Sequence, residues 1–412
     1  KFGNGEWYGK KDTILAYNDE NSNYKPLPFD FSRASNATVV NKAGLIETVG
    51  SGEPRIDFKD NTKGALKLEP QRTNIVDNST NFFLNSWSGT RVIQGATITS
   101  PNGNNEAHKL IASSVNNSHF REYTASSASS GSYTGSCFFK KGEFNVGAIR
   151  MSVDSYANRI GVYINLDNGT HLQTSTVGSP TGTSYKIEDY GNGWYRLSVS
   201  IIHTSGQVRM SLSNASSNYT NSNGLPVFLG NSSDGGYSWG AQLESGSYAT
   251  SYIPTSGSAV TRAADVCSEG GNSTLFNNNS FTIFSEFIRD GFDTDSAGVA
   301  LGLRNPSNSE QIRLHFDAPT KFVRFRDALN GFATIGGYIP ISLNEKMKLS
   351  LSVNGSTAKV FSNGVQVGSD YTGITPFNID EMVLNGRLWK VKDVRYYNTA
   401  LTDSELATLT TI

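Results

Sequence analysis

The chain consists mainly of short stretches in which apolar and polar residues alternate, and helical spacing is almost absent. Alternation gives a strand one face for the core and one for solvent. Residues 136–140, 146–153, 195–203 and 346–353 show it clearly, whereas 402–406 is the only good helix candidate. This pattern predicts an all-β protein.

Turn residues separate these stretches. The chain holds 41 glycines, and Asn363-Gly364 lies between two alternating runs, 357–362 and 365–367. Asn and Gly tolerate the positive φ angles of a two-residue hairpin turn. We therefore expect a β-hairpin at 357–367.

The length of 412 residues suggests two or three domains, at roughly 100 to 200 residues for each. Two series of short strands, 81–254 and 271–412, predict two successive β-sandwich domains of the jelly-roll type. Residues 255–270 follow Pro254, begin with a stretch rich in Ser and Gly, and are predicted to be a linker. Residues 1–80 contain prolines that remove ladder donors, so we expect an extended N-terminal arm or small edge sheet that packs onto something larger.

The charge pattern excludes some partners. The formal net charge is -1, and no run of five or more like charges occurs. Nucleic acid and an anionic membrane surface are therefore not expected partners, and a neutral polar partner fits better. No apolar run approaches the length of a transmembrane helix, and no signal peptide is visible. Because the chain begins at Lys1 and not at Met, we expect a processed product.

Two cysteines lie far apart, in different predicted segments of the chain. Cys137 and Cys267 form no CxxC motif, and the five histidines show no metal-binding spacing. We predict free, structural thiols.

Three N-terminal stretches carry a resemblance to a known family. They are FSRASNATVVN (31–41) followed by Gly44 and Ile46, PRIDF (54–58) and LKLEPQRTN (66–74). In this order they resemble the N-terminal signature of bacteriophage tail-fibre, head-fibre and spike proteins.

Two further groups of residues resemble glycan-binding modules. The stretches 190–196, 239–244, 248–254 and 260–265 are similar to carbohydrate-binding-module-like jelly rolls. The hairpin at 357–367 and residues 394–406 resemble concanavalin-like, laminin-G-type lectin domains.

The resemblance implies a protein on the virion surface. It would be a homotrimeric fibre or spike protein that is attached to other virion proteins through residues 1–80 and presents lectin-like domains to host-surface or environmental glycans. Two alternatives stay open. One is a secreted polysaccharide lyase or glycosidase with an accessory sugar-binding module, and the other is a purely structural virion decoration protein.

No catalytic constellation is visible, so the chain is not expected to be an enzyme. Hydrolysis of glycans needs two carboxylates in one cleft, and the close pair Asp293 and Asp295 lies in a predicted loop. His119, Arg121 and Tyr123 supply the ingredients of a lyase, but we interpret them as exposed polar residues of an edge strand.

Sugar binding requires exposed aromatic rings near polar groups. The predicted glycan-binding residues are Trp87 with Arg91, and Phe332 with Tyr338. Trp194 and Trp239 are predicted core residues. Jelly rolls that this part of the chain resembles often hold a structural Ca²⁺, for which Asp154 or Asp265 could supply a carboxylate.

Overall fold

A computed structural model describes most of the chain. The described residues are 9–10, 13–16, 27–60, 64–84, 86–289, 298–305, 307, 309–317, 322–342, 345–375, 377–385 and 389–412.

Strands make up nearly all of the regular structure. The first eight are β1 Gly9–Lys10, β2 Thr13–Ala16, β3 Leu27–Ser32, β4 Ala37–Val40, β5 Ile46–Val49, β6 Ile56–Asp57, β7 Ala65–Leu68 and β8 Arg72–Asn74. The next sixteen are β9 Trp87–Thr90, β10 Val92–Thr99, β11 Asn105–Ala112, β12 Asn116–Ser118, β13 Phe120–Ala125, β14 Gly131–Lys140, β15 Val146–Val153, β16 Asn158–Asn165, β17 His171–Val177, β18 Ser184–Asp189, β19 Trp194–His203, β20 Val208–Ala215, β21 Thr220–Ser222, β22 Leu225–Leu229, β23 Gly235–Ser245 and β24 Val260–Arg262. The remainder are β25 Val266–Gly270, β26 Ser280–Arg289, β27 Gly298–Arg304, β28 Glu310–Asp317, β29 Phe322–Asp327, β30 Ala333–Pro340, β31 Lys346–Asn354, β32 Thr357–Ser362, β33 Val365–Gln366, β34 Tyr371–Thr372, β35 Glu381–Asn385 and β36 Trp389–Tyr397.

The all-β prediction is confirmed, and so are two local predictions, the hairpin turn at Asn363-Gly364 and the short helix near the end of the chain. Asn363 and Gly364 connect β32 to β33 with φ angles of 49° and 86°. The helix α1 Asp403–Thr410 starts at a capping box, in which Thr402 and Glu405 each accept a hydrogen bond from the other's backbone N–H. No helix in the described part of the chain is long and apolar enough to cross a membrane.

The chain divides into two compact units whose boundaries differ from the predicted domains. Unit 1 consists of residues 1–42, 48–71 and 263–412, and unit 2 of residues 43–47 and 72–262.

Unit 1 is a sandwich of two antiparallel sheets. One has the order β1-β2-β3-β25-β35-β27-β28-β29-β30, and the other the order β33-β32-β31-β26-β36-β7-β6, with β34 also paired to β32. Their inner faces share one core. In it Phe287, Phe316 and Trp389 meet edge to face, with ring centroids 5.4 to 5.9 Å apart.

The N-terminal segment contributes strands to both sheets of unit 1. β3 pairs with β25, and β7 pairs with β36. Within the predicted linker, β24 and β25 are strands, and β24 pairs with β8 in unit 2. The prolines of the N-terminal segment suggested an arm, because proline cannot donate a hydrogen bond to a neighbouring strand. The local sequence does not show that β25 and β36, far along the chain, pair with strands of this segment.

Unit 2 is a second sandwich. Two six-stranded sheets, β10-β11-β23-β14-β19-β18 and β17-β16-β15-β20-β13-β9, enclose one apolar core, and the small sheet β12-β22-β21 is separate. Cys137 lies in this core and Cys267 in that of unit 1. Both are free, as predicted, and burial raises the pKa of each thiol.

A buried ionic network joins four chain segments of unit 1. Asp265 accepts hydrogen bonds from Arg33 at 3.1 Å, from Arg55, and from the backbone N–H of Glu69 at 2.8 Å. Arg55 also pairs with the Glu69 carboxylate at 2.6 Å. All four residues are at most 2% exposed. Burial by itself would lower the pKa of Arg55, but attraction to Asp265 and Glu69 outweighs it and holds this pKa above its ordinary value.

We expect Asp265→Asn to destabilise unit 1 by about 3–5 kcal/mol, because it leaves two buried guanidinium groups without their shared counter-charge. Urea unfolding of the wild type and the variant measures the difference. Asp370→Asn is the matched control in the same unit, since this exposed carboxylate contacts only exposed or half-buried groups and should cost less than about 1 kcal/mol. Equal effects of the two substitutions would contradict the role of the network.

Candidate functional site

Three neighbouring strands of unit 1 present a polar face to solvent. On β28 and β29 every second side chain enters the core, including Leu314, Val323 and Phe325. Three of the intervening positions, 313, 324 and 326, hold half-buried arginines, whereas His315 is buried. Arg313 lies opposite Arg326 across the β28–β29 pair.

Phe332 precedes β30 and lies beside this pair of arginines. It is 40% exposed and has a φ angle of 62°. The guanidinium carbons of Arg313 and Arg326 lie 4.8 and 4.9 Å from its ring centroid. Arg326 also donates a hydrogen bond from Nε to the Phe332 carbonyl at 3.1 Å.

Tyr338, on β30, forms the other end of the face. It is 55% exposed. The guanidinium of Arg324 lies 4.6 Å from its ring centroid and donates to the Tyr338 hydroxyl at 2.6 Å and to the Thr334 hydroxyl at 2.8 Å. Arg324 is two residues from Arg326 on β29, so both pairs share one side of the sheet.

We call the six residues Arg313, Arg324, Arg326, Phe332, Thr334 and Tyr338 the arginine–aromatic face. Its side chains carry three positive charges and no negative one. Stacking on the rings restricts the guanidinium groups, and a planar guanidinium can donate two parallel hydrogen bonds to a carboxylate, sulfate or phosphate. The exposed rings offer apolar surface for the C–H face of a sugar.

Phe332 and Tyr338, two of the residues predicted to bind glycans, are both exposed and lie beside arginines of β29. Trp87, by contrast, is not exposed for stacking on a sugar. Trp87 is 3% exposed and packs against Phe82 and Tyr123, with ring centroids 5.2 and 5.6 Å apart. Its indole N–H donates to the Asn78 carbonyl at 3.0 Å. The prediction for Trp87 is wrong because its ring is part of the apolar core of unit 2.

Arg91 is exposed and donates to the Ser118 carbonyl at 3.2 Å. Because Trp87 is buried, it cannot form an exposed stacking surface beside Arg91, as the prediction for these two residues required. Trp194 and Trp239 are buried, as predicted.

His119, Arg121 and Tyr123 bond to backbone carbonyls. The ring nitrogens of His119 lie 2.8 Å from the Arg91 carbonyl and 3.1 Å from that of Val115. Arg121 donates to Phe82 and Trp87, and Tyr123 to Ile75. These contacts are structural, and His119 is buried, contrary to the expected exposed edge strand. Asp293 and Asp295 lie outside the described residues.

Neither predicted calcium ligand is available to a metal in this structure. Both oxygens of Asp265 accept hydrogen bonds in the buried network. In Asp154, Oδ1 accepts from Thr204 and from the Ser205 N–H, and Oδ2 from Asn158. Hydrogen-bond donors therefore take the positions that a cation would need, and the described residues contain no cluster of three metal-ligating side chains.

Asp154 starts an unusual turn. Asp154, Ser155 and Tyr156 have φ angles of 52°, 55° and 71°. Such left-handed backbone costs roughly 1–2 kcal/mol for each non-glycine residue. The turn is closed by a hydrogen bond from the Ala157 N–H to the Asp154 carbonyl at 3.0 Å. The side-chain bonds of Asp154 fasten the turn to residues 204 and 205.

A shallow groove lies in unit 2, and nothing in the sequence pointed to it. Its volume is about 430 Å³, and its lining includes Asn145, Asn165, Gln173 and Tyr219. The ring of Tyr219 stacks on that of Tyr163 at 5.2 Å. These residues come from separate strands and loops, so only the folded sheet brings them together. The arginines of unit 1 had a weak signal, since their alternation with core residues places them on an outer face.

No family model and no curated protein matches the chain. Among solved structures, domain 4 of the extracellular GH43 arabinanase AbnA from Geobacillus stearothermophilus, in complex with arabinotriose, is 16% identical with a TM-score of 0.30, over 36% of this chain and 73% of that one. A SAP-like pentraxin from Limulus polyphemus is 14% identical with a TM-score of 0.26, over 32% and 69%. A Trypanosoma rangeli sialidase in complex with sialic acid is 12% identical with a TM-score of 0.29, over 96% of this chain and 65% of that one, so the match spans less than two thirds of the sialidase. These low scores assign the chain to none of the three families.

We expect Trp87→Ala to destabilise unit 2 by about 3–5 kcal/mol, because it removes a buried ring and leaves a cavity. Thermal unfolding followed by circular dichroism measures the loss. Arg91→Ala, an exposed position in the same unit, should change stability by less than about 0.5 kcal/mol. A neutral Trp87→Ala substitution would show that the ring is not part of the core.

The pKa of Asp154 predicts a pH dependence. Burial would raise this pKa, but the hydrogen bonds from Asn158, Ser205 and Thr204 lower it from 3.8 to about 2. The stabilisation by the carboxylate is therefore complete above about pH 4 and is lost as the pH falls towards 2.

The difference in melting temperature between the wild type and Asp154→Asn should accordingly shrink over that range. Asp189→Asn, at an exposed position of the same unit, controls for the loss of one negative charge. A constant difference between pH 5 and pH 2 would contradict the assignment.

Proposed function

We propose that this chain is a carbohydrate-binding protein whose arginine–aromatic face recognises an acidic glycan. The observation that carries the proposal is the joining of Phe332 and Tyr338, both well exposed, with three arginines on adjacent strands. The net charge of -1 had suggested a neutral partner, but net charge averages over the chain, whereas a ligand responds to the local charge at its site.

Each part of the face has a matching group on an acidic sugar. The rings of Phe332 and Tyr338 would pack against the C–H surface of sugar rings. Arginine side chains would pair with a carboxylate or sulfate group, and the hydroxyls of Thr334 and Tyr338 with sugar hydroxyls. Neutral sugars would lack the ionic part of this recognition.

We further propose that the protein is a fibre or spike protein on a phage virion, and that it is trimeric and attached to other virion proteins through its N-terminal region. The support is the ordered signature in residues 31–74. Mass spectrometry of purified particles tests the location, and absence of the chain from particles would overturn this part without affecting glycan binding.

Binding to an array of acidic and neutral glycans tests the face. We expect wild-type protein to bind acidic glycans, with Arg324→Ala and Tyr338→Ala each reducing affinity by about 5- to 100-fold, which corresponds to about 1–3 kcal/mol for a charge-assisted hydrogen bond or a stacking contact. Binding should weaken between 0.1 and 1 M salt, because the screening length falls from about 10 to 3 Å.

Tyr185→Ala is the matched control, since this tyrosine is 44% exposed but lies in unit 2. Arg324→Lys separates charge from geometry, and it should bind more weakly than the wild type because ammonium lacks the two-pronged donor arrangement. The proposal for the arginine–aromatic face would be contradicted if the protein bound neutral glycans independently of salt and if Arg324→Ala and Tyr338→Ala did not weaken this binding. The groove lined by Tyr219 would then be the next candidate site. Release of unsaturated or newly reducing ends from the glycans would instead support the lyase or glycosidase hypothesis.

A further inference from the structure

A second group of arginines lies on the outer face of the β15, β16 and β20 strands in unit 2. Ser152 on β15 lies opposite Arg159 on β16 and opposite Arg209 on β20. Neighbouring positions on these strands, such as Met151 and Met210, lie in the core. Arg159, Ser152 and Arg209 therefore form a row across three strands on the side away from the core.

Tyr156 extends from the left-handed turn towards this row. Its ring centroid is 4.1 Å from the guanidinium carbon of Arg209, 5.5 Å from that of Arg159 and 5.7 Å from that of Arg150. Three cations thus surround one tyrosine ring.

The carboxylate of Glu122 also lies among these side chains, and its short contacts are to groups other than Arg209 and Arg159. It accepts hydrogen bonds from Arg150 at 2.9 Å, from Ser211 at 2.6 Å and from the Tyr156 hydroxyl. Its distance to Arg209 is 3.9 Å, at the limit of an ion pair. Glu122 balances one of the three arginines, so the cluster carries an excess of about two positive charges.

Two buried polar atoms of the row lack a hydrogen-bond partner. They are Nη1 of Arg209 and Oγ of Ser152, which lie on directly opposed residues. The Ser152 side chain is fully buried. An unpaired buried donor is costly, and a guanidinium N–H and a hydroxyl side by side can both donate to the same oxyanion.

The strained turn is a further sign of a ligand site. Three successive left-handed residues other than glycine are rare, and such backbone persists where the surrounding structure over-determines it, often at ligand sites. Here the strain places Tyr156 beside the row. The carbonyl of Tyr156 also accepts a hydrogen bond from Arg159 at 2.8 Å, which ties the turn to the row.

We propose that Arg209, Arg159 and Ser152 form an oxyanion site in unit 2 that binds the carboxylate or sulfate group of an acidic glycan, with the Tyr156 ring stacked on the Arg209 guanidinium. This inference rests on the proposed recognition of acidic glycans and places a second recognition point outside the arginine–aromatic face.

Calorimetric titration of the full chain with glucuronate, and separately with inorganic sulfate, tests the site. The experiment uses a protein that carries Arg324→Ala and Tyr338→Ala, so that the arginine–aromatic face does not contribute. We expect binding to persist in this protein, and Arg209→Gln to weaken it by about tenfold or more, the effect of losing a charge-assisted hydrogen bond. A preference for one probe identifies the carboxylate or the sulfate group as the ligand.

Ser152→Ala separates a loss of anion affinity from a loss of protein stability. Removing an unpaired buried hydroxyl should leave the stability of the free protein unchanged or raise it, while anion affinity falls by about 3- to 10-fold. Lys141→Gln, at an exposed lysine of the same unit, should leave binding unchanged. The proposal is overturned if neither probe binds, or if binding is insensitive to both Arg209→Gln and Ser152→Ala. Failure of the arginine–aromatic face would be visible separately, as unchanged glycan binding by Arg324→Ala with Tyr338→Ala.

Discussion

The buried network of Arg33, Arg55, Glu69 and Asp265 is the interaction on which unit 1 depends. Each residue borders a strand. Arg33, Arg55 and Glu69 lie in the N-terminal segment, 196 to 232 residues before Asp265. A buried charge is tolerated only when it is paired and hydrogen-bonded, so each segment requires the others. The N-terminal segment is consequently part of the sandwich, with strands in both of its sheets.

This network also gives a structural role to residues of the N-terminal signature, residues 31–74, on which the sequence resemblance rests. Arg33, Arg55 and Glu69 all lie within it, and another signature residue, Asn74, is buried in unit 2. The Asn74 amide donates to the carbonyls of Ala241 and Ile253 and accepts from the N–H groups of Val76 and Leu243. These signature residues hold the fold together, whereas the two proposed binding surfaces use residues outside the signature. The resemblance and the proposed ligand recognition therefore rest on different parts of the chain.

Elements with short-range causes could be predicted from the sequence. The Asn363-Gly364 turn follows from the φ angles that these two residues tolerate, and the start of α1 from the pairing of Thr402 with Glu405. Trp87 could not be placed in this way, because its burial depends on Phe82 and Tyr123. Phe332 and Tyr338 could be singled out as loop aromatics, but their arginine partners depend on strand register, which alternation alone leaves open.

The sequence by itself determined that the chain is all-β, where several of its tight turns lie and that its cysteines are free, since alternation, turn chemistry and cysteine spacing act locally. Only the tertiary structure decided which strands pair across 200 residues, which hydrogen-bond donors surround the carboxylates of Asp154 and Asp265, and that arginines gather around Phe332, Tyr338 and Tyr156. These outcomes depend on how sheets align distant segments. A local pattern states which face a side chain prefers, but it does not state what will lie beside it.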